Sequence, residues 1–397
     1  MTVCAIKMTT TAPFTIAADG SYAARLAGEG ELRFAERWTL AGPEPYAVPL
    51  PLAQPEEADS EVLPLADGRV LIHRRVADRH AFALLYPTGG AAAGPRTGEL
   101  PLGSVAAPEG AGKDGAGEDG AGKEGAGKDG AGKDGAGKDG AGKDGAGKEP
   151  RVRLLPPSPD GRGAFALAVG DTATTVWQVA GGAFGPVARI PGRCSGGVWL
   201  DRTGRMLALD RELDGITKAV AVDLGRGGEV SPLLQIAEDS DDRLLLADPD
   251  SGLLLLRSDA PGESRLGWGV LGSSLPVRFP ECLRLEDATP FAVQPGQALM
   301  PETCGVAFRS ADGGIVLWRP ADRHVFRLPA PAGWLGGAGL WSPEGRLHLP
   351  YTTPEVPCGI VGLTLPVSPP PPVRLDPPPP ARAPRPVPLQ QAPLSRA

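Results

Sequence analysis

The chain has 397 residues, of which 41% are hydrophobic, and its formal net charge at pH 7 is −7. This acidic balance argues against nucleic acid as a main partner, because proteins that bind phosphate backbones concentrate positive charge. The cysteines are few, far apart and without a CxxC pair, which excludes a zinc-ribbon pattern and a small disulfide framework; they are Cys4, Cys194, Cys282, Cys304 and Cys358.

Hydropathy gives no sign of a membrane segment. No window approaches 18 consecutive apolar residues, and the first eighteen residues lack the apolar core of a signal peptide. We therefore predict a cytoplasmic protein with no membrane partner.

A short turn motif recurs along the chain, each time before a β-like run. The copies are AADGS (17–21), ADGR (66–69), SPDGR (158–162), DRTGR (201–205), DSDDR (239–243), ADGG (311–314) and SPEGR (342–346). Glycine adopts the positive φ that other residues avoid, so these motifs predict tight turns that open strands.

The spacing of the motifs predicts a repeat architecture. Successive turns are 48, 93, 43, 38, 71 and 32 residues apart, and the second step falls to 53 without a 40-residue low-complexity tract. Propeller blades repeat at about 40 to 45 residues. The remaining residues, 1–90 and 150–366, therefore predict an all-β, seven-bladed β-propeller. Six or eight blades stay as alternatives, because residues 277–297 form either a long loop or a degenerate unit.

Short apolar runs bounded by Gly, Pro and Asp support the all-β class, since no segment sustains a 3.6-residue period. Segments 75–84 (RVADRHAFAL) and 319–328 (RPADRHVFRL) agree at seven of ten positions, which predicts a duplicated strand-turn-strand unit. Together with TTVWQV (174–179) and GIVLWRP (314–320), these features resemble the WD-repeat-like β-propeller superfamily. The strict Trp-Asp ending is missing, since Gln178 follows Trp177 and Arg319 follows Trp318.

The resemblance implies a closed ring of sheets. The last unit, 339–366, offers only three strands, so we predict that TVCAIKM (2–8) supplies the fourth and closes the ring.

Two segments are predicted to lie outside the packed fold. The propeller, 1–366, is interrupted by a flexible loop over 104–149, whose GAGKD-type units carry no branched or aromatic side chain. An acid follows each Lys in these units, so they lack the hydroxyl of a phosphate-binding loop. Residues 367–397 form a proline-rich tail that we predict to be disordered, with a PxxPxR docking segment at 377–382 as the functional alternative.

The four histidines are His73, His80, His324 and His348. In the two duplicated segments Asp78 precedes His80 and Asp322 precedes His324. We predict that these residues serve turns, with an acid/base pair as the alternative.

An acidic cluster is the strongest candidate for a metal site; its members are Glu238, Asp239, Asp241, Asp242, Asp248 and Asp250. The calcium-loop spacing that begins at Asp248 is incomplete, since no terminal Glu follows. We therefore predict solvated turn carboxylates, no metal and no cofactor.

The tryptophans are predicted to pack between blades, because each ring buries a large apolar area. Trp334 differs, since Gly and Pro surround it in PAGWLGG. It is the predicted contact residue.

No catalytic motif is present, so we predict no catalytic residues and a non-enzymatic, monomeric binding platform for a protein or small ligand. The alternative is a hydrolase or lyase with an acidic site at the mouth of the channel. Three or four carboxylates or histidines converging at the channel would favour the enzyme.

Overall fold

The structure is a computed structural model that describes residues 14–89, 96–108, 151–296 and 300–364. The chain divides into two units, Met1–Leu365 and Pro366–Ala397. Our predictions for the closing strand at 2–8, for most of the low-complexity loop and for the proline-rich tail fall outside the described residues. The described start of that loop differs from the prediction, because strand continues to Ala106.

The described part of the first unit is built almost entirely of strands. They are β1 (Thr15–Ile16), β2 (Tyr22–Glu29), β3 (Leu32–Thr39), β4 (Tyr46–Leu50), β5 (Glu61–Pro64), β6 (Val70–Val76), β7 (Arg79–Thr88), β8 (Arg96–Ala106), β9 (Arg151–Leu154), β10 (Ala164–Val169), β11 (Ala173–Ala180), β12 (Gly185–Pro191), β13 (Arg193–Trp199), β14 (Met206–Leu213), β15 (Ile216–Asp223), β16 (Glu229–Pro232), β17 (Asp242–Ala247), β18 (Leu253–Ser258), β19 (Arg265–Val270), β20 (Thr289–Val293), β21 (Val306–Arg309), β22 (Ile315–Trp318), β23 (Phe326–Leu328), β24 (Leu340–Trp341), β25 (Arg346–Tyr351) and β26 (Gly359–Thr364). Three 3-10 turns, Leu224–Arg226, Glu281–Leu283 and Pro301–Thr303, are the helical elements of the described ranges.

The strands form antiparallel sheets in a β-propeller arrangement. Five blades have four strands each: β1–β4, β5–β8, β9–β12, β13–β16 and β20–β23, here called the first to fifth blade. Strands β17–β19 form a three-stranded meander that joins the fourth blade through one parallel pair, Lys218 with Asp242. Strands β24–β26 form a second three-stranded sheet.

The prediction of an all-β propeller is confirmed, but the prediction of seven blades, with six or eight as alternatives, is wrong: the described residues form five four-stranded blades. The segment after β19 shows the physical reason. It contains Pro276 and Pro280, which have no N–H to donate to a sheet. It pairs with β19 only at the isolated bridge between Trp268 and Arg278, so no fourth strand forms there.

The turn motifs form as predicted, although they do not all occupy the same place in a sheet. Asp67 accepts a hydrogen bond from the backbone N–H of Arg69 at 3.0 Å, and Gly68 takes a φ of +81°. This turn joins a first strand to a second, as do four other copies of the motif. The DSDDR copy instead precedes the first strand β17, and ADGG precedes the third strand β22. The blade count was predicted from the spacing between turns, and these turns are not equivalent.

The first strands form the inside of the ring. They contact one another in succession, β1 with β5, β5 with β9, β13 with β17, β17 with β20 and β20 with β24. Within each sheet the strands alternate in direction, so the hairpin between the second and third strands lies at the end where the first strand begins. We call this end of the ring the hairpin face.

The ring is held together by apolar clusters between adjacent sheets. Five of the seven tryptophans are buried as predicted: Trp38, Trp199, Trp268, Trp318 and Trp341. Trp38 of the first blade packs with Leu335, which precedes β24, so this cluster joins the beginning of the described chain to its end.

Candidate functional site at the inner end of the hairpin face

Three ionisable side chains of the second blade form a linear hydrogen-bonded array. Glu61 begins the first strand β5, His73 lies opposite it on β6, and His80 follows on β7. The Oε2 atom of Glu61 lies 3.0 Å from Nδ1 of His73. Nε2 of His73 lies 2.8 Å from Nδ1 of His80. Residues 73 and 80 are only 3% and 8% exposed, so the array runs from a half-exposed carboxylate into the blade.

The order of the array fixes the direction of its hydrogen bonds. A carboxylate only accepts, so Nδ1 of His73 donates to Glu61 and its Nε2 must accept from Nδ1 of His80 when both rings are neutral. Glu61 also accepts the backbone N–H of Leu154 in the third blade at 2.8 Å. The array therefore joins two blades as well as three side chains.

Burial keeps the inner end of the array neutral. It lowers the pKa of His80, and the nearby His73 and Arg75 lower it further. The His73 ring stacks on Phe82, with ring centroids 4.9 Å apart. The lowered pKa of His80 and the packed ring of His73 suit a fixed structural array.

The histidine of the second duplicated segment has a different environment. His80 lies in a hairpin between a second and a third strand, whereas His324 is exposed in the connection between β22 and β23. Ala77 takes a φ of +53° in the first segment, next to Val76, which pairs with Arg79 across the hairpin. The second segment has Pro320 in place of Val76, and proline has a fixed negative φ and no N–H to donate. Both segments connect two antiparallel strands, as predicted, but the two connections have different conformations.

We expect His80→Ala to lower the free energy of unfolding by about 1 to 3 kcal/mol, because it leaves a buried acceptor on His73 without its donor. His324→Ala is the matched control, since its sequence neighbours are nearly the same, and it should change stability by less than about 0.5 kcal/mol. Chemical unfolding of both variants measures the difference. Equal effects of the two substitutions would contradict the buried array.

A charged belt continues from Glu61. It consists of Glu61, Arg153 and Arg243 on first strands and of Asp210 on the second strand β14. Arg153 donates to the carbonyl oxygen of Gly196 in the fourth blade. Asp210 accepts the backbone N–H of Leu244 in β17 at 2.9 Å. Each of these contacts crosses from one sheet to the next, so the belt holds the inner ends of the sheets in register.

Arg243 completes the belt with neutral partners. Its guanidinium lies 2.9 Å from Oγ1 of Thr217 and 3.4 Å from Oγ of Ser195. The alternating signs along the belt offset one another, which limits the cost of holding these charges away from water.

Burial raises the pKa of Asp210 to about 6, against the lowering effects of the Leu244 N–H and of Arg243. Its pKa in the folded chain thus exceeds the unfolded value, so the folded state binds more protons between about pH 4 and 6. Stability from this group is present at low pH and is lost as the pH rises through that interval.

We expect Asp210→Asn to remove this loss of stability at higher pH, because the side-chain amide still accepts a hydrogen bond from the N–H of Leu244 and carries no charge. Above about pH 6 the variant should be more stable than the wild type by on the order of 3 kcal/mol, the equivalent of about two pKa units. Urea unfolding from pH 4 to pH 8 measures the difference between the two chains. A difference that does not change with pH would contradict the role given to Asp210.

The predicted acidic cluster is dispersed among separate structural roles. Asp242 and Asp248 are buried, whereas Glu238 and Asp239 are exposed. Asp248 accepts the backbone N–H groups of Ser251 and Gly296. Asp241 and Asp250 have partners of their own: the first accepts the N–H of Thr217 and the second pairs with Arg202. The prediction of solvated carboxylates is wrong for the two buried members.

Two further residue classes bear on chemistry. In the described ranges, no group of three His, Cys, Asp or Glu side chains is arranged to hold a metal ion. Burial raises the pKa of the Cys194 and Cys304 thiols to about 11, so at neutral pH they are not nucleophilic thiolates.

Trp334, the predicted contact residue, is half-buried. Its ring packs against Phe291 with centroids 5.3 Å apart, and its Nε1 donates to the carbonyl oxygen of Ala338 at 2.9 Å. A binding role for Trp334 stays a prediction, now for the part of the ring that faces solvent.

Exposed apolar side chains gather at the tips of the hairpins on the hairpin face. They are Leu32, Val76, Leu213, Ile216 and Val356, with Leu32 and Val76 the most open at 73% and 56% exposure. Each lies in or beside the connection between a second and a third strand. Sequence reasoning missed these residues, because the spacing of turns does not say which face a turn lies on.

The described residues contain no helix long and apolar enough to cross a membrane.

No protein-family model and no curated protein matches the chain. Solved structures similar to it are β-propellers of low sequence identity. The β-propeller domain of the Trilobed protease from Pyrococcus furiosus is 8% identical, with 90% of this chain and 94% of that chain covered and a TM-score of 0.47. The Cps50 (Swd1) β-propeller domain of Myceliophteria thermophila is 10% identical, with 92% and 100% covered and a TM-score of 0.44.

Prolyl oligopeptidase B from Galerina marginata is 13% identical, with 88% of this chain covered and a TM-score of 0.47. This chain spans 48% of that enzyme's length. The similar structures thus include peptidases as well as other propellers. What this chain shares with them is the β-propeller fold.

Proposed function

We propose that this chain is a monomeric, WD-repeat-like binding platform that holds a protein partner on its hairpin face and does no chemistry itself. The observation that carries the proposal is the set of exposed apolar side chains at the hairpin tips. Scattered single apolar residues are normal on a protein surface. Apolar residues at the tips of several hairpins on one face provide separate anchor points for a partner.

The inner end of the same face supports binding over catalysis. Near the channel the array of Glu61, His73 and His80 is linear, so its groups do not converge on a point where a substrate atom could be held. His73 uses both ring nitrogens within the array. Within the described ranges, the remaining belt residues spend their hydrogen bonds on neighbouring sheets.

The experiment uses two variants of the full chain, each with several substitutions. It compares the proteins that each variant captures from a lysate of the source cells. The hairpin-face variant replaces Leu32, Val76, Leu213 and Ile216 by Ser. The control variant replaces Tyr46, Leu271 and Leu275, which are exposed elsewhere, also by Ser. We expect the control variant to retain the partner of the wild type and the hairpin-face variant to lose it.

Melting curves of both variants are recorded first, so that a loss of folding is not taken for a loss of binding. Retention of the same partner by a folded hairpin-face variant would overturn the proposal.

A second candidate function, a hydrolase or lyase, rests on the same array. In a Glu–His–His chain the carboxylate raises the basicity of the far nitrogen, here Nε2 of His80, as in relays that activate a nucleophile. On the adjacent strand β8, the Ser104 hydroxyl accepts hydrogen bonds from the guanidinium of Arg79. A hydrolytic activity abolished by His80→Ala and retained by His324→Ala would favour this second function.

A further inference from the structure

A cleft of about 760 Å³ lies between the second and third blades, at the hairpin face. Its volume falls in the range of small-molecule sites. The residues that define its chemistry are Arg79, Ser104, Ala168, Thr175, Trp177 and Arg189. None of them belongs to the exposed hairpin tips or to the charged belt, so the cleft is independent of the proposed platform.

The side chains of strand β10 help to form the cleft, because small ones face the blade on one side and large ones face the blade on the other. On β10, Ala164, Ala166 and Ala168 face the second blade. Phe165 and Leu167 alternate with them and pack toward the fourth blade. Ala168 lines the cleft, and an alanine at this position leaves room that a leucine would fill.

Positive charge lies on both sides of the cleft. The Nε and one terminal nitrogen of Arg79 lie 3.0 and 2.8 Å from Oγ of Ser104, a neutral partner. Arg189 on β12 has no hydrogen bond or ion pair with the other described residues. Asp171, the acid among the lining residues, pairs with Arg193 at 2.8 Å. Among the described residues neither guanidinium has an acidic partner, so both can bind an anion from solution.

The inner wall of the cleft is aromatic. The Trp177 ring is half-buried and is held by Phe184, with centroids 5.8 Å apart. A flat ring fixed in place offers a stacking surface at little cost in conformational entropy.

We propose that this cleft is a binding site for a small aromatic anion, whose ring lies on Trp177 while its acidic group is held by Arg79 and Arg189. Ala168 of β10 leaves the space, and the two arginines set the preference for negative charge.

The test titrates the full chain with 8-anilinonaphthalene-1-sulfonate, an aromatic sulfonate that becomes fluorescent in an apolar site. We expect saturable binding with one site per chain. Arg189→Met should weaken it at least tenfold by removing the charge while keeping the length of the side chain. Ala168→Leu should weaken it at least tenfold by filling the space.

Arg278→Met is the matched control, because Arg278 stacks on Trp268 in another part of the ring, 5.0 Å from the ring centroid. We expect it to leave the affinity unchanged. The uncharged analogue N-phenyl-1-naphthylamine should bind the wild type at least tenfold more weakly than the sulfonate. Melting curves identify any variant that fails to fold, and Arg189, exposed on β12, should tolerate substitution.

Three results would overturn the proposal. They are a lack of saturable binding to the full chain, equal affinity of the folded Arg189→Met variant and the wild type, and equal affinity for the charged and uncharged probes.

Discussion

Asp242→Ala is expected to lower the free energy of unfolding by about 3 to 5 kcal/mol, because it removes the acceptor at the centre of a buried polar cluster. The carboxylate is fully buried. Its Oδ2 accepts from Nζ of Lys218 at 2.8 Å and from the N–H of Ile236 at 3.0 Å. Its Oδ1 accepts from the hydroxyls of Ser240 and Ser258 at 2.9 and 2.6 Å.

The location of Asp242 makes the effect large. It begins β17 and forms the register pair with Lys218 that joins the fourth blade to the next sheet. Burial alone would raise the pKa of Asp242, but the bonds from Lys218 and Ser258 lower it overall. The carboxylate is therefore ionised in the folded chain at neutral pH, and its removal leaves the Lys218 ammonium without its counterion.

Urea unfolding monitored by tryptophan fluorescence measures this loss. Asp239→Ala is the control, since Asp239 is an exposed member of the same acidic cluster, and it should change stability by less than about 0.5 kcal/mol. Asp242→Asn should fall between the two, because the amide keeps one acceptor and loses the charge. A loss below about 1 kcal/mol for Asp242→Ala would show that the cluster is exposed to water.

Trp38→Ala is expected to cost about 3 to 5 kcal/mol, the range for emptying a buried aromatic site. Trp38 is fully buried, and its Nε1 donates to Oε2 of Glu36 at 2.8 Å. Phe14 meets its ring edge-on, with centroids 4.9 Å apart. The ring also packs with Leu335, which precedes β24. The substitution therefore leaves a cavity between the first blade and the segment before β24.

The measurements are thermal melting, in which the melting temperature should fall, and limited proteolysis, which should become faster near the ends of the described chain. Trp38→Phe should cost less than the alanine variant, since it keeps most of the ring volume and loses only the bond to Glu36. Trp334→Ala is a second comparison, because that ring is half-buried. An alanine variant at position 38 that melts with the wild type would show that this junction does not close the ring.

The fold class was predictable from the sequence for a local reason. Acid-and-glycine turns and short apolar runs specify strands and hairpins through φ/ψ preferences and period-two burial, which depend on a few adjacent residues. The turn at Asp67 and Gly68 formed as its sequence predicts. The blade count was not predictable in this way, because DSDDR and ADGG have the same local chemistry as the other turns but lie at different places in their sheets.

The candidate site was not predictable, and the two duplicated segments show why. His80 and His324 share nearly the same neighbours in sequence, yet only His80 lies against another histidine. Its partners Glu61 and His73 come from other strands of the blade, and Leu154, which binds the same carboxylate, lies 93 residues away from Glu61 in the chain.

The sequence by itself determined the strands and the turns, because these follow from local conformational preference. Only the tertiary structure decided that the described strands form five four-stranded blades, that Asp242 is buried while Asp239 is not, and that the apolar tips share one face. Those properties depend on which strands meet across the ring, and contacts between distant residues are not encoded in the spacing of neighbours.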